Sequence, residues 1–331
     1  MDIQADMVSF IISIFPTILY LAVLKALDSF ALARFRLIVR NILFGLMWCA
    51  LAFILTNPAC LGIPAAIGGV SLMPLVEEIL KGCILAWLIA RKKFRFMAQC
   101  LIYGAAVGSG FSLLENVIYF YFNPDMAVGT SVVRGFGCAI LHMGCTALFA
   151  TILLLVYKNH SNAFGLIVSI IPSVTIHFLQ NLVLEKQILD PTVALILIIV
   201  IFIALFVFLF SFGEKKIYEW MDHSISSDIL TRSAIINGNF ASTKAGEYLL
   251  NIKEQFKPEV FFDMVCYFQL FLELRIEKQS DMLLRQAGFG GDDSELRHAE
   301  RSSKKAELAT LARQIGKTGM GVLAPLVQDG I

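Results

Sequence analysis

Seven long apolar runs constrain this chain more than any other feature. They are roughly Val8–Leu27, Leu37–Leu55, Ile63–Ala90, Phe96–Phe122, Ser131–Tyr157, Ala163–Leu184 and Pro191–Phe212. Each is close to or above the length of about 20 residues that a helix needs to cross a bilayer. A backbone inside hydrocarbon must satisfy its own hydrogen bonds, and a run of this length does so as a helix. The expectation is an all-α polytopic membrane helix bundle of about seven transmembrane helices. The composition agrees. The chain is 57% hydrophobic and only 16% charged, where a soluble domain is charged at about 25%. A net charge of +1 leaves no basic surplus to meet phosphates, so no nucleic-acid partner is expected. The partner that the composition does imply is the lipid bilayer.

The seven cysteines include no C-x-x-C pair, and most lie in apolar runs. They read as small hydrophobes, and neither a disulfide framework nor a thiolate metal site is expected. The N-terminal MDIQADMVSF carries Asp2 and Asp6 and no basic region, so the first run reads as a retained span, not a cleaved signal.

The third run holds Pro64, Gly68, Gly69 and Pro74. They divide it into a candidate outer segment and a helix starting near Pro74, where proline suits the first turn. The connections alternate in charge. Lys25, Arg34, Arg36 and Arg40 flank the first, and RKKFR (Arg91–Arg95) forms the third. Lys158 marks the fifth, and Lys215 with Lys216 opens the region after the seventh span. The connections between them are neutral or acidic. The positive-inside rule then places the N-terminus outside and the C-terminus in the cytoplasm of a multi-pass cell-membrane protein.

After Phe212 the composition changes. Residues 213–331 hold 15 of the 27 basic and 17 of the 26 acidic residues. Two domains are expected: a transmembrane domain over 1–212 and a soluble, helical cytoplasmic region over 213–331. Within the latter, FFDMVCYFQLFLELRIEK has Leu and Phe at helical spacing, and SELRHAERSSKKAELATLARQ reads as a solvated charged helix. The terminal stretch with Gly316, Gly319, Gly321 and Gly330 reads as frayed.

Few ionisable groups lie inside the spans: Glu77, Glu78, Lys81, Glu115, Arg134, His142 and His177. A charge at the bilayer centre costs at least ~2.5–3.5 kcal/mol, so such groups mark a site. At 1.5 Å of rise per residue, Glu77, Glu115, His142 and His177 fall roughly 10–20 Å from the outer ends of four different spans. One slab between the outer third and the midplane therefore collects all four. Lys81 is one turn from both Glu77 and Glu78 and eases their burial. His142 and Thr146, like His177 and Asn181, are four residues apart, so each histidine has a polar neighbour one turn on. Arg134, near an outer span end, reads as a snorkelling side chain.

Glutamates with histidines suit a divalent metal such as zinc. A bound metal would make hydroxide available at neutral pH, and a nearby carboxylate would take the proton. That is hydrolytic chemistry. Buried Glu, Lys and His also build proton relays, so a proton- or ion-coupled transporter is the alternative.

The set E77-E78-I-L-K81, F111-S-L-L-E115-N116, H142-M-G-C-T146 and H177-F-L-Q-N181 resembles the PrsW family of intramembrane proteases. That family is related to the CAAX-processing and bacteriocin-immunity membrane proteases. The resemblance covers about Pro64 to Asn181. It implies an intramembrane metalloendopeptidase that cuts a membrane-anchored protein substrate, an anti-sigma-factor-like single-span protein being the implied type. It implies Glu77 as general base with Glu78 as helper or ligand. By the same resemblance Asn181 stabilises the oxyanion or orients substrate, and Glu115, His142 and His177 hold the metal. The second motif ends in Glu115 where the wider group has histidine. Other intramembrane proteases fit poorly: there is no H-E-x-x-H, no G-x-S-G and no aspartate within a span.

Overall fold

The computed structural model describes residues 3–28, 30, 32–56, 73–91, 93–94, 96–123, 125–157, 162–286 and 295–327. Among these, all regular structure is helical. Each predicted span corresponds to one helix: α1 (Ile3–Ala26), α2 (Phe35–Thr56), α3 (Met73–Ala90), α4 (Met97–Phe122), α5 (Val128–Tyr157), α6 (Asn162–Glu185) and α7 (Pro191–Ile236). Helix α3 begins just ahead of Pro74, as the proline requires. The outer segment expected before it, with Pro64, Gly68 and Gly69, lies outside the described residues. Helices α2, α4, α5, α6 and α7 are long and apolar enough to cross a membrane. The apolar part of α1, Phe10–Ala26, is shorter, and α3 has 18 residues with three charges among them. Helix α7 runs past the expected end at Phe212 to Ile236. Apolarity stops there but helix propensity does not, because Glu214, Lys215 and Lys216 continue it. The helix ends ahead of Gly238, whose φ of 73° is the left-handed conformation of a helix terminator.

The chain forms two compact units. The first comprises Met1–Asp28 with Leu32–Lys215, the second Ser29–Ala31 with Lys216–Ile331. In the first, α4 and α5 are central: 83% and 78% of their span residues are buried. Helix α4 packs on α1, α2 and α5, and α5 on α1, α3, α4 and α6. Gly104, Gly108 and Gly110 let α4 approach its neighbours closely. A Cβ on Gly108 would lie 2.4 Å from the His142 carbonyl oxygen, and one on Gly110 would lie 2.0 Å from that of Ile42. Backbone therefore touches backbone, and α4 is pressed against α5 at the level of His142. Large apolar side chains such as Ile11, Ile18, Leu43, Ile167, Ile171, Ile196 and Val200 are exposed on the outer helices. That surface suits lipid and not water.

The second unit holds the end of α7 and three further helices, α8 (Lys244–Leu250), α9 (Pro258–Gln286) and α10 (Glu295–Val327). Thr243 caps α8 by accepting the Gly246 N–H at 3.0 Å. Pro258 opens α9. Helices α9 and α10 pack over Leu249, Met264, Ile315 and Leu323. The stretch expected to fray does not. Gly316, at φ 72°, breaks α10 locally, and the helix resumes because Leu323 is fully buried. Gly330 lies outside the described residues.

Candidate active site

Four helices of the first unit bring the intramembrane ionisable groups into one connected cluster. Helix α3 supplies Glu77, Glu78 and Lys81, and all three are buried. Helix α4 supplies Glu115, α5 supplies Arg134 and His142, and α6 supplies His177. Two ties fix the helices near these residues. The Ser173 hydroxyl donates to the Cys145 carbonyl at 3.0 Å, locking α6 to α5 one turn before His177. The Asn116 amide donates to the Ser13 carbonyl at 2.9 Å, anchoring α4 to α1 beside Glu115.

The hydrogen bonds assign the protons. The Lys81 ammonium donates to Glu78 Oε1 at 2.6 Å and lies 2.9 Å from His142 Nδ1. An ammonium has only donors, so Nδ1 accepts. Nε2 of the neutral ring then carries the hydrogen and donates to Glu115 Oε2 at 2.5 Å. The other Glu115 oxygen takes the Arg134 guanidinium at 2.6 Å, which lies 3.9 Å over the Tyr119 ring. His177 Nδ1 lies 2.8 Å from Glu78 Oε1. That oxygen is an acceptor, so Nδ1 carries the hydrogen and Nε2 keeps its lone pair.

The two lone-pair nitrogens face one atom. Glu77 Oε2 lies 3.9 Å from His142 Nδ1 and 3.8 Å from His177 Nε2. It is buried and has no hydrogen-bond partner. Each histidine thus presents one nitrogen toward Glu77 while a carboxylate holds the other, Glu115 for His142 and Glu78 for His177. This is how carboxylates orient metal-binding histidines. The rings meet edge to face with centroids 4.9 Å apart.

The donor set fits a divalent cation. Glu77, His142 and His177 present ligand atoms within 4.8 Å of one another. Counted as ionised, Glu77, Glu78 and Glu115 stand against Lys81 and Arg134, leaving one net negative charge in the cluster. Glu115, Cys138 and His142 form a second such set among the described residues. It fits less well: the Cys138 thiol donates to Glu115 Oε2 at 3.5 Å, as does His142 Nε2–H. A cation there would have to displace both protons.

Several expectations change. Arg134 does not snorkel. It pairs with Glu115 because a carboxylate at this depth needs a counter-charge more than the guanidinium needs the surface. Lys81 does more than neutralise glutamates, since it also holds His142. Thr146 does not orient the His142 ring: its hydroxyl donates to the His142 carbonyl at 2.6 Å, the usual helix back-bond. Asn181 is half-buried, one turn beyond His177. Phe111 escaped the sequence reading as a site residue. Its ring packs on His142 with centroids 4.9 Å apart, and the Lys81 ammonium lies 4.5 Å over it. Its spacing of four from Glu115 was the available signal.

No curated protein and no solved structure matches the chain. The model of the PrsW family of intramembrane metalloproteases matches residues 33–209, just over half of the 331 residues. That span contains every helix that builds the cluster. The chain belongs to the PrsW family of intramembrane metalloproteases.

Proposed function

We propose that this multi-pass membrane protein hydrolyses a peptide bond of a membrane-anchored protein within or beside the bilayer, with Glu77 as general base. The observation that carries the reading is the unpartnered Glu77 Oε2, buried between His142 Nδ1 and His177 Nε2. His142 and His177 would hold a divalent metal, zinc being the ion that best suits this nitrogen and oxygen set, with Glu77 facing it as the third group. When bound, the metal supplies Lewis acidity toward water and the substrate carbonyl.

The chain's own groups do the rest. Glu77 Oε2 accepts the proton of the attacking water and later delivers it to the leaving amine. Glu78 Oε1 accepts from both Lys81 and His177, so the part of Glu78 is to orient His177. Glu115 takes the same part for His142, a different role from the ligand that the family resemblance implies. Asn181 is assigned to the substrate side, where its amide would donate to the carbonyl oxygen as charge develops there.

The first unit is the protease domain, about residues 1–212. Residues 213–331 form the cytoplasmic helical region, with the N-terminus outside, as the basic loops at Arg34–Arg40 and Arg91–Arg95 support. A single-span substrate of the anti-sigma-factor type is the substrate class proposed.

The test is co-expression of membrane-anchored reporters with wild type, Glu77→Gln and His177→Ala, together with metal analysis of each purified protein. Glu77→Gln should abolish cleavage and leave the protein inserted and folded. His177→Ala should lose the metal. Undiminished cleavage in both variants would sink the proposal.

A further inference from the structure

We propose that Lys81 is a displaceable cation lock on the metal site: its ammonium occupies the His142 lone pair that a metal must take, so metal binding requires Lys81 to let go. The inference rests on the metal reading of His142 and His177 given above and adds the residue that sets how tightly the ion is held.

The geometry leaves little choice. Imidazole Nδ1 has one lone pair. In the structure the Lys81 ammonium takes it at 2.9 Å. Nε2 is not free for the same ion, because it is bound to Glu115 at 2.5 Å on the far side of the ring. A cation held by His177 Nε2 and facing Glu77 must approach His142 at Nδ1, on the Lys81 side.

Lys81 has somewhere to stay when it yields. Its second contact, Glu78 Oε1 at 2.6 Å, does not involve the metal-facing nitrogens, and the Phe111 face lies 4.5 Å away. The ammonium can release Nδ1 and remain paired with Glu78 over the aromatic ring, as a cation–π contact allows. Lys81 is fully buried, so it cannot leave for water at low cost. The lock is therefore permanent in the fold and only its hold on His142 is exchanged.

Two consequences follow from the charge. Without a metal, the ammonium stands in for the ion and keeps two histidines and two glutamates from being buried against each other uncompensated. With a metal, the displaced ammonium remains close to a divalent cation and weakens its binding by repulsion. Lys81 is a positioning residue, and its readout is metal affinity and not only turnover.

The experiment measures zinc affinity of the full chain in detergent by competition with a chelator of known strength, for wild type, Lys81→Met, the double variant Lys81→Met/Glu78→Gln, and His177→Ala. Lys81→Met should bind zinc on the order of tenfold tighter than wild type, the scale on which groups outside the ligand set tune a metal. The double variant guards against misfolding, because it removes both members of the buried ion pair while glutamine still accepts from His177 Nδ1–H. It too should bind more tightly than wild type. Zinc affinity equal to or weaker than wild type in both folded variants overturns the lock. If wild type binds zinc and His177→Ala abolishes that binding, such a failure concerns Lys81 alone. If zinc binding is indifferent to His177, the metal reading itself fails and the lock with it.

Discussion

The molecule contains two dense networks of charge, one in each unit, and they are built to opposite ends. In the second unit Lys304 binds Glu273, Glu277 and Glu300 at 2.5–2.9 Å, Arg232 holds the second oxygen of Glu273, and Arg301 reaches Glu277 and Asp281. Arg275 grips both oxygens of Asp228. Every oxygen of Glu273, Glu277, Asp281 and Asp228 faces a cation. In the membrane cluster, both oxygens of Glu115 and Oε1 of Glu78 are engaged, but the buried Glu77 Oε2 is left over. A satisfied network ties helices together. A network with one buried oxygen short of a partner has a place for something else, and the proposed function puts a divalent metal there. Counting charges would rank the two networks alike, whereas asking which buried carboxylate oxygen lacks a partner separates them.

The sharpest way to break this comparison is to neutralise one charged group in each network. Glu77→Gln should lower cleavage of a membrane-anchored reporter by roughly 10²–10⁴-fold, the range of a lost general base. Lys304→Met should leave cleavage unchanged. If the second variant were as damaging to cleavage as the first, the distinction drawn here would collapse. Next in size is Arg134→Met, which frees Glu115 from its guanidinium. Metal affinity should fall by about tenfold to a hundredfold as Glu115 is no longer held in place against His142, read by the same chelator competition.

Lys304→Met should instead raise hydrogen exchange of the α9 and α10 amides by about fivefold, corresponding to about 1 kcal/mol for a partly exposed network. The same amides report a pH dependence. The Lys304 hydrogen bond holds the Glu273 carboxyl below its ordinary value of 4.5. Its contribution to stability is therefore complete above that value and is lost as the pH falls through the depressed one, so exchange should accelerate on acidification below about pH 4.5. The smallest expected effect is that of Cys138→Ser, which should leave zinc affinity where it was. A clear loss of zinc on removing that thiol would move the ion to the Glu115, Cys138 and His142 set.

Much of this was legible before the structure. Apolar run lengths located seven helices, five of them long and apolar enough to cross a membrane, and Pro74 located the start of α3, because both signals are local. Rise per residue placed Glu77, Glu115, His142 and His177 at one depth, and they do converge. What depth could not give was azimuth. Whether Arg134 points to the surface or to Glu115, and which face of the His142 ring meets Lys81, depends on how α3, α4 and α5 are rotated about their axes. That rotation is set by backbone contact at Gly108 and Gly110 and by the side chains around it. Glu115 illustrates the cost: its residue type alone is equally compatible with gripping a metal and with gripping a histidine. The tail misled for a related reason. Glycines near the C-terminus suggested fraying, and at Gly316, Gly319 and Gly321 burial of Leu323 against α8 and α9 outweighed them.

Helix α3 has a consequence for how the protein is made. With 18 residues and Glu77, Glu78 and Lys81 in its first half, it is a poor candidate to partition into lipid by itself, since each charge near the centre of a lone helix opposes insertion by at least ~2.5–3.5 kcal/mol. Its charges become tolerable only beside Glu115, His142 and His177, which arrive on later segments of the chain. Insertion of α3 is thus cooperative with α4, α5 and α6, and a nascent chain that has emerged only as far as α3 carries a polar helix waiting for its neighbours. The groups assigned above to hydrolysis are all in the chain only once α6, which carries His177, has been made.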